Sequence, residues 1–127
     1  MVVAMIKGLR LASIWSEDLT KKLLPFYRDT LGLTVGMDSP GFVIFGDPNA
    51  PALALGTHDA VHGGNADSAR HMVGLEVDDC RAEAARLKAA GVEFVEDPND
   101  VGNGLTMATF RDPEGNLVQI MQFSSAM

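Results

Sequence analysis

Two histidines four residues apart are the first candidates for chemistry in this sequence. His58 and His62 flank Asp59 in a segment that is rich in small residues. On a helix, histidines at positions i and i+4 can bind Zn²⁺, but the zinc-protease pattern also requires a glutamate directly after the first histidine. That glutamate is missing, so the pattern favours solvated loop histidines. The alternative is a flap that closes over a cleft.

Two other side chains, Cys80 and Glu76, could also take part in a chemical reaction. Cys80, the only cysteine, opens a predicted helix, where the helix dipole favours a thiolate. No histidine is near it in sequence, which favours a structural role, and the preceding Asp78 and Asp79 are interpreted as helix caps. Glu76 is a candidate general base if it is buried. The alternative is an ordinary solvated or paired strand residue.

Composition restricts the classes of partner. The chain has 127 residues and a formal net charge of −7, and it contains no basic cluster, so nucleic acid and anionic membranes are not expected partners. A single cysteine allows no disulfide within the chain. No apolar stretch approaches the ~20 residues that span a bilayer. These features predict a cytoplasmic protein with one domain over residues 1–127.

The elements that must position these residues follow a repeated pattern. Segments 45–55 and 110–120 both read Phe-x-Asp-Pro, then a polar turn, then an alternating strand. Segments 14–18 and 75–79 both read as a strand that ends at an aspartate before a helix. A helical stretch follows each of the segments 14–18 and 75–79, and it stops at Gly32 and at Gly91 respectively. These four ordered landmarks at nearly constant offset indicate a duplication. The fold class is therefore α+β, with two βαβββ modules at about 5–57 and 69–124 and a linker at about 58–68.

Hydrophobic periodicity and turn residues place the individual elements. Asp18 is predicted to cap the first helix, Pro25 to kink it, and Ala84, Leu87 and Ala90 to face inward from the second helix. The predicted helices are 19–31 and 80–90, and the predicted strands are 6–16, 33–37, 41–46, 52–56, 71–78, 92–96, 104–110 and 116–123.

Three segments carry a family resemblance that covers roughly residues 8 to 123. Phe26-Tyr27-Arg28-Asp29-Thr30-Leu31-Gly32-Leu33, Leu75-Glu76-Val77-Asp78-Asp79 and Phe110-Arg111-Asp112-Pro113-Glu114-Gly115-Asn116 resemble motifs of the vicinal-oxygen-chelate superfamily (glyoxalase/bleomycin resistance protein/dioxygenase-like). The resemblance implies curved mixed sheets around a concave cleft. Enzymes of that superfamily hold a divalent metal in the cleft, whereas other members bind an antibiotic there as dimers without metal.

The resemblance also implies where metal ligands would stand in this sequence: Leu11, Ala54, Met72 and Gln119. Leu11 and Ala54 offer no donor, a thioether suits soft metals, and one amide cannot hold a divalent ion. His71 is one residue out of register and would point to the opposite face of its strand. No metal and no cofactor are therefore predicted.

Strand alternation, placed by the same resemblance, predicts which side chains line the cleft. The lining is mainly apolar with few polar anchors, as is usual for small-molecule sites, and Trp15 offers a face for stacking. The alternative is that these residues fill a collapsed cleft or a dimer interface. The predicted lining comprises Leu11, Ser13, Trp15, Ala54, Met72, Leu117, Gln119 and Met121, with Phe123 beside them.

These features predict a metal-independent small-molecule binding protein of the bleomycin-resistance-like type, which binds an apolar or planar ligand as a homodimer. One alternative is a lyase, isomerase or dioxygenase of the same superfamily, with Glu76 as base or with an atypical metal site. Another is a degenerate module whose role is protein association.

Overall fold

The computed structural model describes residues 9–47 and 49–124, and within them two four-stranded sheets. In the first module the strand order across the sheet is β1-β4-β3-β2, with β1 parallel to β4 and the other pairs antiparallel. The first sheet comprises β1 (Leu11–Ser16), β2 (Val35–Ser39), β3 (Phe42–Phe45) and β4 (Ala52–Thr57).

The second module repeats this topology, with the order β5-β8-β7-β6 and with β5 parallel to β8. It comprises β5 (Met72–Glu76), helix α1 (Cys80–Ala89), β6 (Phe94–Gly102), β7 (Leu105–Arg111) and β8 (Leu117–Phe123). The predicted α+β fold with two βαβββ modules is confirmed.

The helical segment of the first module differs from the predicted α-helix, because most of its turns are π-helical. It consists of π-helical turns at Leu19–Leu23 and Phe26–Thr30, on either side of Pro25. The Leu31 N–H donates to the Phe26 carbonyl five residues back. Pro25 has no N–H to donate to a regular α-helical ladder. The predicted cap is confirmed, because the Asp18 carboxylate accepts from the Lys21 N–H.

Helix α1 begins and ends close to the predicted positions. Asp79 caps it by accepting from the Ala82 N–H, whereas no such bond is made by Asp78 within the described residues. Ala84 and Leu87 are buried as predicted. The prediction for Ala90 was wrong: the helix ends at Ala89, and Ala90 is an exposed cap residue.

Strand β6 is longer than the predicted 92–96 and runs to Gly102. Its pairing with β7 shifts register around Pro98, and a proline is tolerated there because β6 is an outer strand. Asn103 and Gly104, both with positive φ, then form the tight turn into β7. Asn-Gly is a strong hairpin signal in a sequence, and it marks this hairpin.

One hydrophobic core extends through both modules. Leu19, Leu23 and Tyr27 of the first module belong to the same buried cluster as Phe110 and Ile120 of the second. In the described part of the chain, no helix has both the length and the apolar character needed to cross a membrane.

Candidate functional site

A cavity of about 670 Å³ lies between β1 and β5, which are outer strands of the two sheets. Consecutive residues line it from each strand, 12–15 from β1 and 71–73 around the start of β5. The other walls are the loop 61–66 and the turn that leads into β8. Within the described residues β1 pairs only with β4, and β5 pairs only with β8, so each strand has one edge without a strand partner.

The structure brings four of the eight predicted lining residues to this cavity: Ser13, Trp15, Met72 and Leu117. Ser13 and Trp15 lie on β1, Met72 lies on β5 and Leu117 lies on β8. Met72 and Trp15 are also partly exposed to solvent. The cavity wall thus combines these apolar side chains with polar ones such as His62 and Asn116.

The other four predicted lining residues lie outside the cavity. Ala54 is completely buried within the first sheet. The Gln119 amide donates to Thr109 Oγ1 at 3.4 Å. Leu11 is half-buried at the start of β1, and Met121 is half-buried in β8.

Trp15 is held against the first sheet by a glycine on the neighbouring strand. A Cβ atom on Gly56 would lie 2.3 Å from the Trp15 ring, so only glycine allows this approach. The ring stacks on Phe42 with centroids 5.9 Å apart and meets the His58 ring edge-on at 5.5 Å. Trp15 remains 40% exposed, so it presents an aromatic surface to the cavity.

In the second sheet a side chain also packs over a glycine, but this side chain is more flexible than Trp15. A Cβ atom on Gly74 would lie 2.9 Å from the terminal methyl group of Met121. Met121 therefore covers Gly74 as Trp15 covers Gly56. A thioether chain adapts its shape readily, whereas an indole ring is rigid.

His71 lies on the cavity wall together with Met72 and Val73. Three consecutive residues of a strand include both of its faces, so alternation alone does not select the residues that border this cavity. Ala12 and Ile14 of β1 also line it.

The loop after β4 is tied to both modules. The Gly63 N–H donates to the Glu17 carboxylate at 2.8 Å, and the Asn65 N–H donates to the Glu114 carbonyl at 2.7 Å. The Asn65 side chain also donates to Asn116 Oδ1. His62 lies in this loop and lines the cavity. The loop is therefore a fixed wall of the cavity in this structure.

Asp112 organises the turn between β7 and β8. One of its oxygens accepts from the Glu114 and Asn116 backbone N–H groups, and the other accepts from the Asn116 amide and, at 2.8 Å, from the Tyr27 hydroxyl. Burial, followed by the charge of Asp112, raises the pKa of Tyr27 above its usual range. Tyr27 is therefore held protonated as a donor that joins the two modules.

Glu114 is the one acidic side chain of the cavity wall within the described residues. It is only 6% exposed, and its Oε1 accepts from the Ser16 hydroxyl at 2.9 Å. From the sequence Glu114 is visible only as part of a turn motif. The spacing of Asp112 and Glu114 gives no sign of their burial, which the structure shows.

Two other predicted candidates lie away from the cavity. Glu76 is exposed on β5 and lines a shallow surface depression beside α1. Cys80 is completely buried, with its Sγ 3.8 Å from the Ile120 carbonyl oxygen. Burial raises the pKa of the Cys80 thiol, which opposes the thiolate that a nucleophile would need.

Comparison with known proteins establishes the family. A sequence model of the Glyoxalase/Bleomycin resistance protein/Dioxygenase superfamily matches residues 13–120. The chain belongs to this superfamily, as its motifs predicted. A comparison with curated protein sequences gives no significant match.

Solved structures share the fold over nearly the whole chain. A glyoxalase/bleomycin resistance protein/dioxygenase from Nocardioides has a TM-score of 0.74 at 22% identity, covering 99% of this chain and 89% of that one. TnmS3, an antibiotic binding protein from Streptomyces sp. CB03234, has 0.74 at 26%, covering 96% and 100%. Lactoylglutathione lyase from Agrobacterium tumefaciens has 0.69 at 21%, covering 94% and 96%.

The metal of the enzymatic members does not fit the residues at the equivalent positions. Leu11, Ala54 and Met72 supply no hard donor, and the Gln119 amide is the single oxygen ligand. Across the described residues no group of three His, Cys, Asp or Glu side chains is placed to hold an ion. No reaction step through a metal at these four positions is derived.

Proposed function

We propose that the chain is a metal-independent binding protein that takes an apolar or planar small molecule in the cavity between β1 and β5. The observation that carries the proposal is the half-exposed Trp15 ring on the wall of a cavity of about 670 Å³. Most binding sites are concave and apolar, with a few placed polar groups. Met72 and Leu117 supply further apolar surface.

The comparison with TnmS3 supports a ligand of the antibiotic type. That protein is described as antibiotic binding and is 26% identical over nearly the whole of both chains. A sequestering protein needs a cavity with affinity and no catalytic group. We therefore propose antibiotic resistance as the biological role of this binding.

Ligand screening tests this function directly. A panel of planar and apolar compounds, antibiotics included, is assayed by thermal shift, because a ligand that binds the folded state raises its melting temperature. At least one compound is expected to stabilise the native protein, and Trp15→Ala to lose most of the effect. Phe123→Ala, which removes an exposed aromatic outside the cavity lining, is the matched control. A panel without any hit contradicts the proposal.

A second candidate is a lyase, isomerase or dioxygenase with an atypical site. It is favoured by one observation, that His62, His71 and Glu114 all line the same cavity. Elemental analysis of protein purified without chelator or affinity tag separates the two functions. Near one equivalent of a transition metal, lost in His62→Ala and His71→Ala variants, would favour the enzyme, whereas less than about a tenth of an equivalent favours metal-free binding.

The proposal includes a homodimer in the cytoplasm. The outer strands β2 and β6 have open edges, and exposed apolar side chains such as Val95 and Val101 lie on β6. A partner subunit commonly covers such edges. Sedimentation equilibrium is expected to give twice the chain mass, and a monomer at all concentrations would contradict this part.

A further inference from the structure

The carboxylate of Glu114 has one hydrogen-bond donor and one oxygen left without a partner. Oε1 accepts from the neutral Ser16 hydroxyl, and Oε2 has no hydrogen-bond partner in the described ranges 9–47 and 49–124. Glu114 as a residue is only 6% exposed, but no fully buried side-chain oxygen of the described residues lacks a partner, so Oε2 keeps access to solvent. A buried carboxylate is costly unless it is paired with a charge or well hydrogen-bonded.

The surroundings supply no permanent positive charge. No lysine or arginine within the described residues lines the cavity. Arg111, the nearest basic residue in sequence, pairs with Glu93 at 3.5 Å. The second buried acid of the turn, Asp112, is bound to neutral donors only. The cavity wall is therefore negatively charged at this turn.

Trp15 complements that charge. Its half-exposed ring lines the same cavity as Glu114. Indole is the aromatic ring that attracts cations most strongly. An organic cation with an apolar body would thus find both an anionic anchor and an aromatic surface on the cavity wall.

We propose that Glu114 is the anchor for an organic cation, and that the natural ligand carries a protonated amine beside its apolar or planar part. This inference rests on the proposed binding function and narrows its ligand class. The ammonium group donates to the free Glu114 oxygen, while Ser16 keeps Oε1 in place. No covalent step is involved.

An isosteric series of probes tests the inference: 4-phenylbutylammonium, 4-phenylbutanol and 4-phenylbutyrate. Trp15 is the only tryptophan and lies in the cavity wall, so its fluorescence reports binding by the full chain. Titrations at about pH 8 keep the amine protonated, and about 150 mM NaCl screens the net negative charge. The ammonium probe is expected to bind at least about tenfold more tightly than the alcohol, and the butyrate least.

Glu114→Gln is expected to remove that preference, because glutamine keeps an oxygen for Ser16 and loses the charge. Glu96→Gln removes an exposed charge outside the cavity lining and should keep the preference. Glu114→Asp keeps the negative charge but withdraws it by one methylene group and should reduce the preference, which maintains the test if Glu114→Gln fails to fold. Far-UV circular dichroism verifies the fold of each variant.

The outcomes separate the two proposals. Equal affinity for all three probes, or a preference that survives in a folded Glu114→Gln variant, overturns the cation anchor and leaves the binding function standing. An unchanged preference in a folded Glu114→Asp variant also overturns it. Failure of all three probes to change the fluorescence or the melting temperature overturns the cation anchor, and it overturns the binding function as well when the panel of planar and apolar compounds also gives no hit.

Discussion

Asp47 and Asp112 occupy equivalent places in the two modules, 65 residues apart and each before a proline, yet their surroundings differ. Asp47 is exposed, and in the described part of the chain its carboxylate accepts one bond, from the Asn49 N–H. Asp112 is buried and accepts four bonds. The same turn motif is thus an exposed local loop in the first module, whereas in the second module its aspartate is buried and binds several groups.

The difference arises from the partners of the turn. Asp112 meets Tyr27 of the first helical segment. The residue 61 positions after Tyr27, at the equivalent place in α1, is Lys88, whose ammonium group binds Asp97 instead. A short motif therefore predicts the turn, while a distant side chain decides whether the turn becomes part of the core.

The largest expected effect comes from removing the carboxylate at each turn. Asp112→Ala should lower the free energy of unfolding by about 3 kcal/mol, because Tyr27 and Asn116 lose a charged acceptor in a buried place. Asp47→Ala should cost less than about 0.5 kcal/mol as an exposed substitution. Urea denaturation measures both. Equal losses would abolish the distinction between the two turns.

Tyr27→Phe isolates the bond between the modules. It should cost about 2 kcal/mol, since Asp112 is left short of one donor while the ring still packs in the core. Lys88→Met, at the equivalent position of α1, is the control and should cost less than about 0.5 kcal/mol, because its ion pair is exposed. Urea denaturation measures the free energy of unfolding of both variants. A larger loss in Lys88→Met than in Tyr27→Phe would contradict the comparison.

Alkaline pH provides a separate test of Tyr27. Its pKa in the folded protein is raised by burial, so its contribution to stability is complete below the ordinary tyrosine pKa of about 10 and is lost as pH rises above it. The free energy of unfolding of the native protein should therefore fall more steeply above about pH 10 than that of Tyr27→Phe. Parallel curves from urea titrations would show that Tyr27 does not ionise on unfolding.

Ser16 and Ser13 offer a comparison on one strand. The Ser16 hydroxyl is completely buried between the Glu114 carboxylate and the Asp18 N–H, so Ser16→Ala should cost about 1.5 kcal/mol. Ser13 is exposed to the cavity, and Ser13→Ala should be nearly neutral. Thermal and urea unfolding distinguish the two, and a neutral Ser16→Ala would show that the contact with Glu114 adds nothing to stability.

Gly56 and Gly74, the two glycines that lie under a side chain, are expected to give the smallest difference in free energy of unfolding. Gly56→Ala should cost about 1 kcal/mol and change the tryptophan emission, because the new methyl group displaces a rigid ring. Gly74→Ala should cost less, since the end of Met121 can move. Unchanged Trp15 emission in a folded Gly56→Ala protein would show that the ring does not rest on the glycine.

The sequence predicted the parts of this molecule that depend on neighbouring residues. The order of elements, the cap at Asp18 and the cap at Asp79 all follow from local patterns, and the structure contains them.

What the sequence could not predict depends on how the modules meet. Alternation assigns a residue to a face of a sheet, but it does not say which strand edge borders a cavity, and here His71 and Met72 both lie on the cavity wall. The contact of Tyr27 with Asp112 joins residues 85 positions apart. The extension of β6 beyond Pro98 was missed because proline normally argues against a strand.

The bond between Tyr27 and Asp112 also bears on how this duplicated chain can evolve. After a duplication, each copy can in principle accumulate changes on its own. Here a hydroxyl from one copy serves a carboxylate in the other, so a change at either position alters the selective value of a change at its partner. Relatives that retain the acid are expected to retain a donor at the tyrosine position, and the two codons should therefore vary together although they lie in different halves of the gene.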